Sequence, residues 1–126
     1  DTPDRYRQET ANTYAGGEAA FEQLMSLDPP PTALIAPTDV IAIGMLHGAL
    51  RHGLDVPGDV SITGFDDIPV AEFTVPSLTT VRMPTEAMIL AAVDLAISRD
   101  EALGDLHPVL EPDLIIREST GPAPGR

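Results

Sequence analysis

Pro31-Thr32-Ala33-Leu34-Ile35-Ala36-Pro37-Thr38-Asp39 and, one helix length later, Val60-Ser61-Ile62-Thr63-Gly64-Phe65-Asp66-Asp67 decide the fold. Each holds a short apolar run, Ala33 to Ala36 and Val60 to Phe65, of the kind that forms a strand buried on both faces. Between them, Pro37-Thr38-Asp39 turns the chain, with Asp39 placed as the N-cap of a helix through His52. Gly53 closes that helix, and Val56-Pro57-Gly58-Asp59 forms a turn. Strand, helix and strand within about thirty residues make a βαβ unit, which crosses over right-handed and sets its strands parallel. The expected class is α/β, a parallel sheet covered by helices.

Working outward, residues 1–13 are polar, without apolar periodicity, and read as a loose arm. From Tyr14 to Leu27 the pattern is helical, with Ala20, Phe21, Leu24 and Leu27 on one stripe, until Asp28-Pro29-Pro30-Pro31 stops it. On the other side, residues 66–77 form an irregular loop and Leu78 to Arg82 another strand. Pro84 suits the first turn of a helix running to about Ser98. A last strand, roughly His107 to Arg117, carries Pro112, so it is expected at an edge or bulged. The Pro/Gly-rich tail 121–126 reads as disordered.

Composition narrows the function. The 126 residues suffice for one domain with a real core, and 43% of them are hydrophobic. No apolar run is long enough to span a membrane, so no membrane contact is expected. Absence of cysteine excludes disulfides and thiolate zinc sites. Twenty acids face seven bases, all arginine, for a net charge of -13. Phosphate affinity comes from clustered Lys and Arg, so this surface repels DNA. The first residues lack an initiator Met and a signal-peptide pattern, and the chain reads as an excised fragment.

In open α/β sheets ligands bind beyond the C-terminal ends of the strands. Pro37-Thr38-Asp39 and Asp66-Asp67 leave their strands on that edge, where the helix 39–52 also presents its unpaired N–H groups. Carboxylates accept from sugar hydroxyls, and a threonine hydroxyl donates or accepts. Position alone leaves alternatives open: Asp39 as a mere helix cap, and Asp66 and Asp67 as turn residues or as ligands to Mg²⁺. His47 reads as a surface or interface residue, and His52 and His107 lack partners at metal-ligand spacing. No nucleophile elbow is present, and neither catalysis, metal nor cofactor is expected. The helix 39–52 carries apolar residues all round, with Gly44 and Gly48 flattening a face for close approach; its two sides must both meet something.

Four blocks in register resemble the lactose-repressor (LacI/GalR) family of transcription regulators. Residues 31–39 with Ala42-Ile43-Gly44 look like its "PTA-(apolar)-NDxxAxG" block, and 53–67 like "GxxVPxDvSvvGFDD". Pro76 to Val81 is similar to "PxLTTV", and Leu114 to Thr120 to "LxxREST". The resemblance runs from about Tyr14 to Thr120. It implies part of a periplasmic-binding-protein-like (type I) core, in which two α/β subdomains enclose a ligand cleft. Residues 14–78 would be the second subdomain and 79–83 a hinge strand with Thr80, Val81, Arg82 and Met83. Residues 84–120 would be a crossover helix and closing strand that pack on a first subdomain.

The resemblance further implies that Asp66 contacts the effector, a sugar or related small polar molecule. Thr38 stands where the family has a ligand-contacting Asn, Asn12 where several members stack an aromatic, and Met83 where a Gln is frequent. With Asp39, these make the expected ligand set Asp66, Thr38, Asn12 and Asp39. The family's dimer interface falls on Ile43, His47, Phe73, Thr74 and Val75. Operator DNA would be reached only through a missing N-terminal head, in a cytoplasmic homodimer; the alternative is an exported sugar-binding protein of a transporter. Helix 84–98 is apolar almost all round, so it should collapse onto its own sheet or exchange with a second copy across Met83-Pro84.

Overall fold

A computed structural model describes residues 3–97 and 109–125. In chain order it contains helix α1 (Tyr14–Met25), strand β1 (Ala33–Ile35), helix α2 (Asp39–Arg51), strand β2 (Ser61–Thr63), strand β3 (Thr80–Arg82), helix α3 (Thr85–Ile97) and strand β4 (Asp113–Ile115). Every expected element is present, although the strands are shorter than their apolar runs. β1 and β2 pair in parallel with Leu34 opposite Ile62, as the βαβ reading requires. Thr79 adds a parallel bridge to Thr63, after which β3 pairs antiparallel with β4, Val81 opposite Leu114. Pro112 immediately precedes β4, which consequently starts late; His107 and Ser98, where two expected elements begin and end, lie outside the described residues.

The helix ends follow local chemistry. Thr13 caps α1 by accepting from the Gly16 amide. α2 is capped by Thr38, not Asp39: Thr38 is extended (φ -147°, ψ 157°) and its side chain accepts from the Ile41 amide. Asp39 is the first helical residue, and its carboxylate is drawn inward by partners described below. Gly53, at φ +68°, ends the helix in the left-handed conformation that glycine adopts without steric cost.

The core lies between α1, α2 and the parallel strands: Phe21 and Leu24, Ile41, Met45 and Ala49, with Leu34, Val60, Ile62 and Leu78. α1 and α2 touch backbone to backbone. A Cβ on Gly17 would collide with the Ile41 carbonyl, one on Gly44 with the Tyr14 carbonyl, and Gly48 faces the Phe21 ring. The flat face of α2 is therefore occupied by α1 within the chain. This leaves Ile43 half-buried and His47 and Leu50 exposed.

Two expectations about the ends of the chain change. The arm is not wholly loose: the Tyr6 hydroxyl donates to the Pro29 carbonyl at 2.9 Å. The start of the tail is held too, with the Gly121 amide 3.1 Å from Ser61 Oγ. α3 does not collapse onto the sheet. None of its residues is buried, and Met88, Ile89, Leu90, Val93 and Ile97 are exposed.

Candidate functional site

The C-terminal edge of the parallel strands carries two loops. After β1, Pro37 and Thr38 lead into α2; after β2, Gly64 and Phe65 lead into Asp66 and Asp67. The Asp39 amide donates to the Phe65 carbonyl at 2.8 Å and so laces the loops together. Three carboxylates crowd this edge, and each goes a different way.

Asp39 is fully buried. The Thr80 hydroxyl donates to one oxygen at 2.5 Å and the Ile68 amide to the other at 2.8 Å. Asp39, expected in the ligand set, joins α2 to Thr80 at the start of β3 and offers no surface to solvent. A buried polar group needs such partners, because leaving it without hydrogen bonds in the interior is costly.

Asp67 is also turned inward, with its side chain 6% exposed. Arg82 Nε donates to Oδ2 at 2.6 Å and Arg117 Nη2 to Oδ1 at 2.7 Å. Burial pushes its pKa up, but the hydrogen bonds and charges of Arg117 and Arg82 outweigh that and hold it below the ordinary aspartate value.

Asp66 is the one that faces out. It is exposed, at φ +111°, with its amide donating to the Val81 carbonyl at 2.9 Å. On the neighbouring loop the Thr38 hydroxyl donates to Asn12 Oδ1 at 2.7 Å. The structure thus joins Asn12 to Thr38 and ties their loop to that of Asp66. Together these three present a carboxylate, an amide and a hydroxyl, a set suited to a ligand with several hydroxyl groups. Among the described residues no group of three or more His, Cys, Asp or Glu is arranged to hold a metal ion.

A broad concavity lies elsewhere. A groove of about 960 Å³ runs between Tyr6 to Thr10 of the arm and the open edge of β1, floored by Leu24, Leu34, Ile41 and Met45. Asn12, Thr38 and Asp66 do not line it.

Of the residues expected to form a hinge, Thr80 is buried, Val81 and Met83 half-buried and Arg82 exposed. The residues expected at an interface lie on two segments. On α2, His47 is held by Glu18, Nδ1 to Oε2 3.2 Å, and Glu18 also accepts from Arg51 at 2.6 Å. On the loop before β3, Phe73 is 73% and Val75 95% exposed, while the Thr74 hydroxyl lies within reach of the Ala71 and Pro76 carbonyls.

Sequence reasoning missed two groups. One is the double arginine pairing of Asp67. Its signal was the scarcity of cations: two of only seven arginines end the segments that flank an Asp-Asp pair. The other is Ser119, fully buried, which donates to the Ile62 carbonyl at 2.6 Å and accepts from the Thr79 amide at 2.8 Å. It pins the returning chain across the sheet.

The periplasmic binding protein-like domain family matches residues 2–120. The HTH-type transcriptional regulator MalR of Streptomyces coelicolor is 42% identical over 120 residues, 94% of this chain and 34% of that protein. The chain thus spans about a third of the length of the curated relatives it matches. A sugar-binding LacI-family regulator from Escherichia coli, complexed with phosphate, superposes with a TM-score of 0.83 at 30% identity, covering 98% of this chain and 45% of that one. A LacI-family regulator from Lactobacillus casei with bound glucose does so with a TM-score of 0.71 at 34% identity, over 86% and 40%. Matched in sequence and fold along nearly all its length, the chain belongs to the periplasmic binding protein-like domain family, among the LacI-family transcription regulators.

Proposed function

We propose that this chain is the effector-sensing and dimer-forming part of a ligand-responsive, cytoplasmic DNA-binding regulator, and that it is not an enzyme. The observation that carries the reading is the orientation of Asp66. Of the three carboxylates at the strand ends it alone faces solvent, on a loop tied to that of Thr38, which is bonded to Asn12. Such a set takes a sugar or related small polar molecule. Residues 14–78 act as one subdomain and 79–83 as the hinge; the segment 84–120 crosses to the other subdomain of a longer protein.

In that protein, effector held between subdomains biases the hinge only as far as it binds one state better than the other. Ile43, His47, Phe73, Thr74 and Val75 form the contact with a second copy, pairing two DNA-reading heads over a two-fold operator. The bare apolar α3 is covered by the other subdomain, and in the isolated chain by exchange with a second copy across Met83-Pro84.

The test compares DNA binding by the full-length protein with that by this chain. The full-length protein should shift its own promoter DNA and change affinity when a panel of hexoses and disaccharides is added. This chain, at a net charge of -13, should not bind duplex even at low salt. A full-length protein preceded by an export signal and silent toward DNA would overturn the reading in favour of a transporter's binding protein.

A further inference from the structure

Asp66 and Asp67 are neighbours whose side chains face opposite ways. Both have positive φ, 111° and 54°, a backbone region that side chains disfavour. Two such residues in succession persist only where the surroundings hold them; Asp39 of α2 bonds both flanks of the turn, and the groups bonded to Asp66 and Asp67 themselves come from the two crossover segments. Val81 in β3 accepts from the Asp66 amide. Arg82, also in β3, binds one oxygen of Asp67; Arg117, just past β4, binds the other. Arg117 in turn grips the outgoing segment twice more, Nη1 to the Leu78 carbonyl at 2.8 Å and its amide to Thr79 Oγ1 at 2.9 Å.

The choice of partner is informative. Arg82 sits opposite Asp113 in the antiparallel register, so a carboxylate was available across the ribbon. Its Nε goes to Asp67 instead. One carboxylate, 6% exposed, therefore takes a charge-assisted bond from each of the two segments that leave and re-enter the α/β unit. By contrast the Arg51–Glu18 pair joins α2 to α1 and touches neither crossover segment.

We infer that Asp67 is a positioning residue that registers both crossover segments against the Asp66 turn, so that a ligand seated on Asp66 is read at the hinge. The transmission of a ligand signal rests on the function proposed above; the tie itself does not. Asp66 meets ligand, and the adjacent Asp67 converts any shift of that turn into a shift of β3 and β4 together. Neither strand slides without breaking a bond to the same carboxylate.

Hydrogen exchange resolved along the chain tests this, with Asp67→Asn, Arg117→Gln and the double variant. Asn tolerates the left-handed backbone as Asp does, so the turn keeps its conformation while the charge is lost. Without ligand, exchange at residues 80–82 and 113–115 should speed up by about tenfold or more in each single variant, as loss of a charge-assisted bond implies, while α1 and α2 hardly change. The double variant should exchange no faster than the faster single, since both break one unit. Acceleration spread evenly over α1 and α2, or no acceleration at all, overturns the inference.

A second arm uses full-length protein with the same panel of hexoses and disaccharides. A sugar that slows exchange at 66 and at 80–82 in the wild type should still slow it at 66 in Asp67→Asn, and no longer at 80–82. Slowing at both places in the variant overturns the inference. A panel without effect on the wild type counts against the effector reading, and the ligand-free arm alone then decides Asp67.

Discussion

At the scale of single residues the site turns on three aspartates with one chemistry and three environments. Asp39 and Asp67 are satisfied inside; Asp66 faces solvent. Replacing Asp39 by Ala removes a charged acceptor and strands the Thr80 hydroxyl and the Ile68 amide. Unfolding stability should fall by about 3 kcal/mol, read by denaturant titration; a loss under about 0.5 kcal/mol, the level of an ordinary surface change, would remove it from the framework. Asp67 has a pH signature. Its folded pKa lies below the ordinary value, so its contribution is present above the unfolded pKa, near 3.9, and lost as pH falls through the lower folded value. Stability should therefore drop more steeply on acidification below about pH 4 in the wild type than in Asp67→Asn. Equal slopes would mean that the arginine pairs contribute nothing. The sequence named all three acids from their place at strand ends, and the family resemblance chose Asp66 as the contact. Their directions were not legible, because the deciding partners lie far along the chain: Thr80 is 41 residues from Asp39, and Arg117 50 from Asp67.

Among the elements, the βαβ unit was plain from two apolar runs and the helix between them. Parallel pairing followed from that spacing alone. What periodicity left open was the partner of α2, apolar on all sides. Gly44 and Gly48 signalled a close approach, and the apolar stripe of α1 did not single out Gly17. In the fold, Gly17 and Gly44 are two halves of one contact, each leaving room for the other helix's backbone. Contacts between α1 and α2 need both glycines at once, which a pattern within one helix does not show. Gly44→Ala should force the helices apart and cost about 1–3 kcal/mol, read from the unfolding midpoint. Unchanged stability would mean that α1 does not seat on α2 as described. The cap of α2 shifted by one residue for a similar reason: Asp39 and Thr38 can both cap, and the buried hydroxyl of Thr80 claims Asp39.

The whole molecule is an incomplete one in physical terms. It has a core between α1, α2 and the parallel strands, yet α3 carries its apolar surface bare. Contiguous exposed apolar surface of that kind marks an interaction surface. Purified at micromolar concentration, the chain should therefore sediment as a dimer or larger. A stable monomer with α3 well protected in hydrogen exchange would contradict exchange of that helix between copies. The effector reading meets its most direct test in a calorimetric titration of the full-length protein with hexoses and disaccharides, repeated on Asp66→Asn. Losing a charged acceptor to ligand hydroxyls is worth about 1.5–3 kcal/mol, so the variant's Kd should rise roughly ten- to hundredfold. A Kd unchanged in a variant that folds normally would place the ligand elsewhere and contradict the assignment of this site.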